Sequence, residues 1–149
     1  MAEAVQSKTA ELLQTVYQSV KAAGDEVMDL MPSVKDEQLR SDMTVQLSVL
    51  EAFASRAAKH LAEEGAKPEE QGMLTKTVKT VGNKLDTLRD STAPHLAQML
   101  IEGATVRGGE MMRALREAEC GRASEAAIRL VRDVASYEEK VAQDYRSYL

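Results

Sequence analysis

The sequence predicts an all-α protein: an antiparallel up-and-down helical bundle of four long helices, with residues 74–88 as either a shorter fifth helix or the first half of a kinked long one. Three observations carry this. Alanine, leucine, glutamate, lysine and arginine dominate, while aromatics make up 3%; residues of this kind lose little side-chain freedom in a helix. Apolar residues recur at alternating spacings of three and four along four stretches, the mark of one helix face. Nothing alternates with the period of two that a half-buried strand needs, and no Gly/Ser linker or low-complexity tract intervenes. A chain of 149 residues is most simply one domain, 1–149, around a single core.

The first stripe is Thr9, Leu13, Val16, Val20, Ala23, Val27 and Leu30. Pro32 stops it, because proline disfavours helical backbone in the residue before it. Ser33, with Asp36 three residues later, resembles a capping box and is expected to start the second helix. Its stripe is Met43, Leu47, Leu50, Ala54, Ala57 and Leu61. It closes at Gly65, suited to a left-handed helix end, and Pro68 could open a further turn. Two helices of about thirty residues, each about 45 Å long, joined by a tight turn, should lie antiparallel.

A third stripe comprises Leu74, Val78, Val81, Leu85 and Leu88. Ser91 or Thr92 can then cap a new helix with Pro94 in its first turn. From there to Glu119 the pattern is less clean. Ala97, Ile101, Ala104, Gly108, Met111, Leu115 and Ala118 form one series, while Leu96, Met99, Leu100 and Val106 cover other faces. Such a helix is expected to be buried on several sides. After a turn at Cys120 to Arg122, the last stripe is Ala127, Val131, Val134, Glu138, Val141, Tyr145 and Tyr148. Alternation of three and four suits the shallow crossing angle of bundles.

Composition narrows the function classes. A net charge of −5 argues against nucleic acid as a partner, since phosphate binding needs clustered Lys and Arg. Lys76, Lys79 and Lys84 flank the third stripe and read as its solvated edge, the alternative being contact with an anionic surface. The opening stretch lacks the apolar core of a secretory signal, and no run approaches the ~18 apolar residues of a membrane span. Cys120 is the single cysteine, so no internal disulfide can form, and a cytoplasmic protein is expected.

The stretch "STAPHLAQMLIEGATVRGGEMM" poses the main chemical question: one glutamate, Glu102, and three glycines, Gly103, Gly108 and Gly109, in an apolar helix. Gly103 and Gly108 read as a tight helix crossing, and the Gly108–Gly109 pair as a kink or a backbone opening. A buried Glu102 needs a partner. Glu138 also takes a core slot, and Glu51 follows Leu50. With His95, on the same face as Met99 and Glu102, these four are the candidate ligands for iron, manganese or zinc. The Glu-x-x-His pair of di-metal bundles is absent, since the residues three after Glu51, Glu102, Glu110 and Glu138 are Ala54, Thr105, Arg113 and Val141. The other reading pairs Glu102 and Glu138 with bases at the core margin, for example Arg107 or Arg132. Cys120 beside Arg122 has no base placed to serve it, and the eight methionines read as core filling rather than a partner groove.

Ser91 to Gly103, Glu138–Glu139 and the closing "YRSYL" together resemble an uncharacterised family of small helical proteins from anaerobic Gram-positive bacteria. The resemblance lies mainly in the second half of the chain. It implies a ferritin-like four-helix architecture and no activity, because fold alone licenses no function. The sequence-level expectation is therefore a non-catalytic structural or interaction protein that self-associates as a homo-oligomer through apolar helix faces. The alternatives are a carboxylate-rich metal-binding or redox protein and an amphipathic adaptor.

Overall fold

The computed structural model describes residues 2–69 and 91–149. Four helices pack antiparallel: α1 (Ala2–Leu30), α2 (Glu37–Glu63), α3 (Ala93–Cys120) and α4 (Glu125–Asp144). Single 3-10 turns follow α1 at Met31–Ser33 and α4 at Tyr145–Tyr148. No described helix is long and apolar enough to cross a membrane. The stripe of Leu74 to Leu88, with Lys76, Lys79 and Lys84, lies outside the described residues.

Side-chain caps set three of the four starts. Asp36 caps α2, accepting from the Leu39 amide at 2.8 Å. The expected box with Ser33 does not form, because Ser33 is taken up in the 3-10 turn behind Pro32 and Val34 is extended and buried. Arg40 reaches back to donate to the Val34 carbonyl, which closes the corner. Thr92 caps α3 through the His95 amide, with Pro94 in the first turn, and Ser124 caps α4 through the Ala127 amide. Each such oxygen satisfies one amide that the helix leaves orphaned. Gly65 has the left-handed φ of +74° expected of a residue ending α2.

Cross-links between helices give their directions. Arg56–Asp133 joins late α2 to early α4, and Gln46–Tyr145 joins early α2 to the residue that follows α4, so these two helices are antiparallel. The Ser124 amide donates to Thr9 Oγ1 at 3.0 Å, while Glu26, seventeen residues further along α1, meets Arg107 near the middle of α3. Hence α1 is antiparallel to α3 as well, and α2 and α3 run the same way. Chain order is up, down, down, up, rather than the strict alternation expected of an up-and-down bundle. α2 ends at one end of the bundle and α3 begins at the other. The chain leaving α2 turns back along α1: Gln14 donates to the Lys67 carbonyl at 2.6 Å and accepts from the Glu69 amide at 2.8 Å.

The core collects the predicted stripes. All seven residues of the α1 stripe are buried, as are Ala97, Ala104, Met111, Leu115 and Ala118 of α3 and Ala127, Val131, Val134, Glu138, Val141 and Tyr145 of α4. One expectation fails. α3 is not covered all round: Leu96 and Leu100 join the core, but Gln98, Glu102 and Thr105 are exposed, and Val106 is 61% exposed. A helix with two neighbours in a four-helix bundle has an outer face, and α3 leaves two large apolar residues, Val106 and Met112, exposed. Replacing the fully buried Leu100 by alanine should cost about 2–5 kcal/mol in urea unfolding, whereas Val106→Ala should stay within about 0.5 kcal/mol of the parent.

Candidate functional site

The interior holds one buried ionic cluster among the described residues, where α1, α3 and α4 meet. α4 supplies Glu138, three or four residues from Val134, Val141 and Ala135, all buried, so its helical position turns it inward. α3 supplies Arg107, between the buried Ala104 and Met111. α1 supplies Glu26, three residues after Ala23 and four before Leu30.

Arg107 joins them. Its Nε donates to Glu138 Oε2, and its Nη1 donates to Glu26 Oε2 at 2.8 Å. Glu138 is 1% exposed and Arg107 7%, while the Glu26 side chain keeps 18%. Each carboxylate engages the guanidinium through a single oxygen. Arg107 Nη2 and Glu138 Oε1 have no hydrogen-bond partner.

Burial pushes the Glu138 carboxyl above its usual range; Arg107 pulls it back, and Glu26 pushes it up again. Burial also opposes the Arg107 charge, but Glu138 and Glu26 outweigh it and hold the guanidinium more firmly protonated. Next to the cluster, burial and then the Glu138 and Asp144 charges raise the Tyr137 phenol to about 12.

The glycines now have reasons. A Cβ on Gly103 would lie 2.6 and 2.7 Å from the two Glu26 carboxylate oxygens and 2.9 Å from Arg107 Nη1. Gly103 is therefore the clearance through which Glu26 reaches Arg107. Gly108 faces the Cβ of Glu138, where an added Cβ would sit at an ordinary 3.6 Å, and Gly109 opens onto free space. α3 runs as one helix through both, so the pair does not break it.

The candidate ligands go to separate places. Glu138 is in the cluster. Glu102 is exposed and accepts from Gln98 on its own helix at 3.0 Å, a correction to its expected burial: it projects from the outer face of α3. Glu51 is exposed on α2, and His95 is half-buried in the first turn of α3. Among the described residues, no three His, Cys, Asp or Glu side chains are grouped to hold a metal. The expected pairing of Glu138 with Arg107 is found. Arg132 instead meets Glu119 at 2.9 Å on the surface. Sequence reasoning missed Glu26, whose spacing from Ala23 and Leu30 was the available signal. It also missed Gln46, buried and accepting from the Tyr145 hydroxyl at 2.7 Å, and Asp42, which accepts from Tyr148.

A cleft of about 350 Å³ opens between the start of α1 and the end of α3, with Leu12 and Ala118 as its floor and Lys8, Arg113, Glu110 and Glu117 around it. Its size is at the lower end for small-molecule sites, and its charges are of both signs. Cys120 is exposed at the adjoining turn.

The two glycines should respond differently to alanine. Gly108→Ala adds about 1 kcal/mol of helix preference without a clash, whereas in Gly103→Ala the same gain is set against a displaced Glu26 carboxylate. In denaturant unfolding, the Gly103 variant should be less stable than the Gly108 variant by at least about 1 kcal/mol. Arg107→Ala, which leaves two carboxylates facing each other without their base, should cost about 3–5 kcal/mol at neutral pH.

No protein-family model matches the chain, and no curated protein or solved structure matches it. What stands is an all-α four-helix bundle with no family identified.

Proposed function

We propose that this is a non-catalytic structural or interaction protein of helical-bundle type. The observation that supports it is the Glu26–Arg107–Glu138 cluster: the described interior commits its carboxylates to an arginine rather than to an open cavity. Groups tied to one another inside a packed seam hold helices together and do not reach a substrate. Met28, Val45, Val106 and Met112 are apolar side chains left exposed, and they support self-association through helix faces. A cytoplasmic setting belongs to the same reading, supported by a single cysteine, Cys120, that forms no disulfide.

A second reading has a specific observation behind it. An up, down, down, up order with one connection between opposite ends of the bundle is the connectivity of ferritin-like folds, many of which carry di-metal sites. It favours a ferritin-like architecture, in line with the resemblance of Ser91 to Gly103 to the helical family of anaerobic Gram-positive bacteria, and the metal-binding or redox alternative. Glu138 is the candidate ligand that faces inward; Glu51 and Glu102 face water.

Purification followed by elemental analysis and light scattering separates these readings. The interaction reading expects no stoichiometric iron, manganese or zinc, no rise in melting temperature on adding those ions, and a mass that grows with concentration beyond 16.3 kDa. Stoichiometric metal lost in a Glu138→Ala variant would establish the second reading, and a monomer mass at high concentration would remove self-association.

A further inference from the structure

We propose that the 3-10 turn Tyr145–Tyr148 is a strap that lifts away while the four helices stay packed, held shut by two tyrosine hydroxyls and biased toward opening by the half-satisfied amide of Gln46. α4 ends at Asp144 and the chain continues as one 3-10 turn. A single turn of this kind makes too few bonds of its own to persist without tertiary contacts. It reaches α2 through two polar contacts of the same type. The Tyr145 hydroxyl donates to Gln46 Oε1 at 2.7 Å, and the Tyr148 hydroxyl donates to an Asp42 carboxylate oxygen, one helical turn earlier on α2. Tyr145 belongs to the core, Tyr148 packs at its margin with the ring centroids 6.2 Å apart, and the turn also rests on α3.

Gln46 supplies the bias. It is buried on α2 between Met43 and Leu50, so its helical position turns it inward. Its Oε1 takes the Tyr145 hydroxyl, but its Nε2 has no hydrogen-bond partner. A primary amide carries two donors and an acceptor oxygen, and withholding the donors from water costs free energy in the closed state. Lifting the strap lets water reach both ends of the Gln46 amide. Opposing this are the burial of the Tyr145 ring and the two hydroxyl bonds.

The helices do not need the turn in order to stay together. α4 is held by its own buried stripe, by Glu138 on Arg107 and by Asp133 on Arg56, all within Glu125–Asp144. Opening would uncover Gln46 and the part of the core that Tyr145 and Tyr148 cover, and would leave the remainder of the bundle closed.

Hydrogen exchange of the full chain at low urea, read by NMR, tests the strap. In the parent, the Gln46 side-chain amide should be protected, and it should exchange through an opening that urea barely promotes. The backbone amide of Leu100, in the middle of α3, should exchange only with global unfolding and so respond steeply to urea. Tyr145→Phe leaves Gln46 without a partner and should raise both the Gln46 exchange rate and the unfolding equilibrium constant about tenfold. Adding Gln46→Met to that variant removes hydroxyl and amide together, and should return the unfolding constant to the parent value or below it. A double variant no more stable than Tyr145→Phe alone would overturn the proposal. So would a Gln46 amide with the urea dependence of Leu100, or one exchanging at the unprotected rate. Should a variant fail to fold, those two readings of the parent decide.

Discussion

Arg107 has to be satisfied from two directions at once, and much of the bundle's geometry follows from that constraint. A guanidinium this deep among four helices carries a desolvation cost that packing cannot offset, so carboxylates must come to it. One comes from α4 and one from α1. This brings the last helix and the first into register against α3, although they are far apart in the chain. It also fixes a detail that looks incidental: Gly103 has no side chain because Glu26 passes there.

Buried ionic clusters are weak sources of net stability, since apolar replacements of similar volume often do as well. Their effect is clearer on the alternatives. The apolar stripes of α1, α3 and α4 are rich in alanine, valine and leucine and are similar enough that several registers would bury comparable oily surface. A one-turn slip, however, would leave Arg107 or a carboxylate alone in the core. Buried Gln46 with Tyr145, and Asp42 with Tyr148, act in the same manner between α2 and the end of the chain. Polar contacts thus tie the α1–α2 hairpin to the α3–α4 hairpin at both the cluster and the closing tyrosines, while the aliphatic core supplies the bulk of the cohesion.

Much of the fold was legible residue by residue. The α1 stripe is buried without exception, and Gly65, Thr92 and Pro94 occupy the roles their chemistry suggests, because caps and terminators depend on neighbours within a turn. The candidate site was half legible. Glu138 stood out because an acid interrupts an otherwise apolar stripe, and its need for a base followed from the cost of burying it alone; that the base is Arg107 and not Arg132 was decided by the packing. Glu102 misled because it has apolar neighbours on several faces, and composition alone does not say which face a bundle covers. Glu26 sits beside a stripe rather than in it, and at such flanking positions a helix shows no difference between a solvated acid and an ion-paired one.

The sequence by itself determined that the chain is helical, where most helices begin and end, and which face of each is apolar, since those properties arise from contacts within one or two turns. Only the tertiary structure decided that α3 runs parallel to α2, that Glu26 is the second acid on Arg107, and that Glu102 faces water. Each of these depends on which helices become neighbours. That choice is made by the fit of whole faces and by the cost of stranding one charge, neither of which has a local signature in the chain.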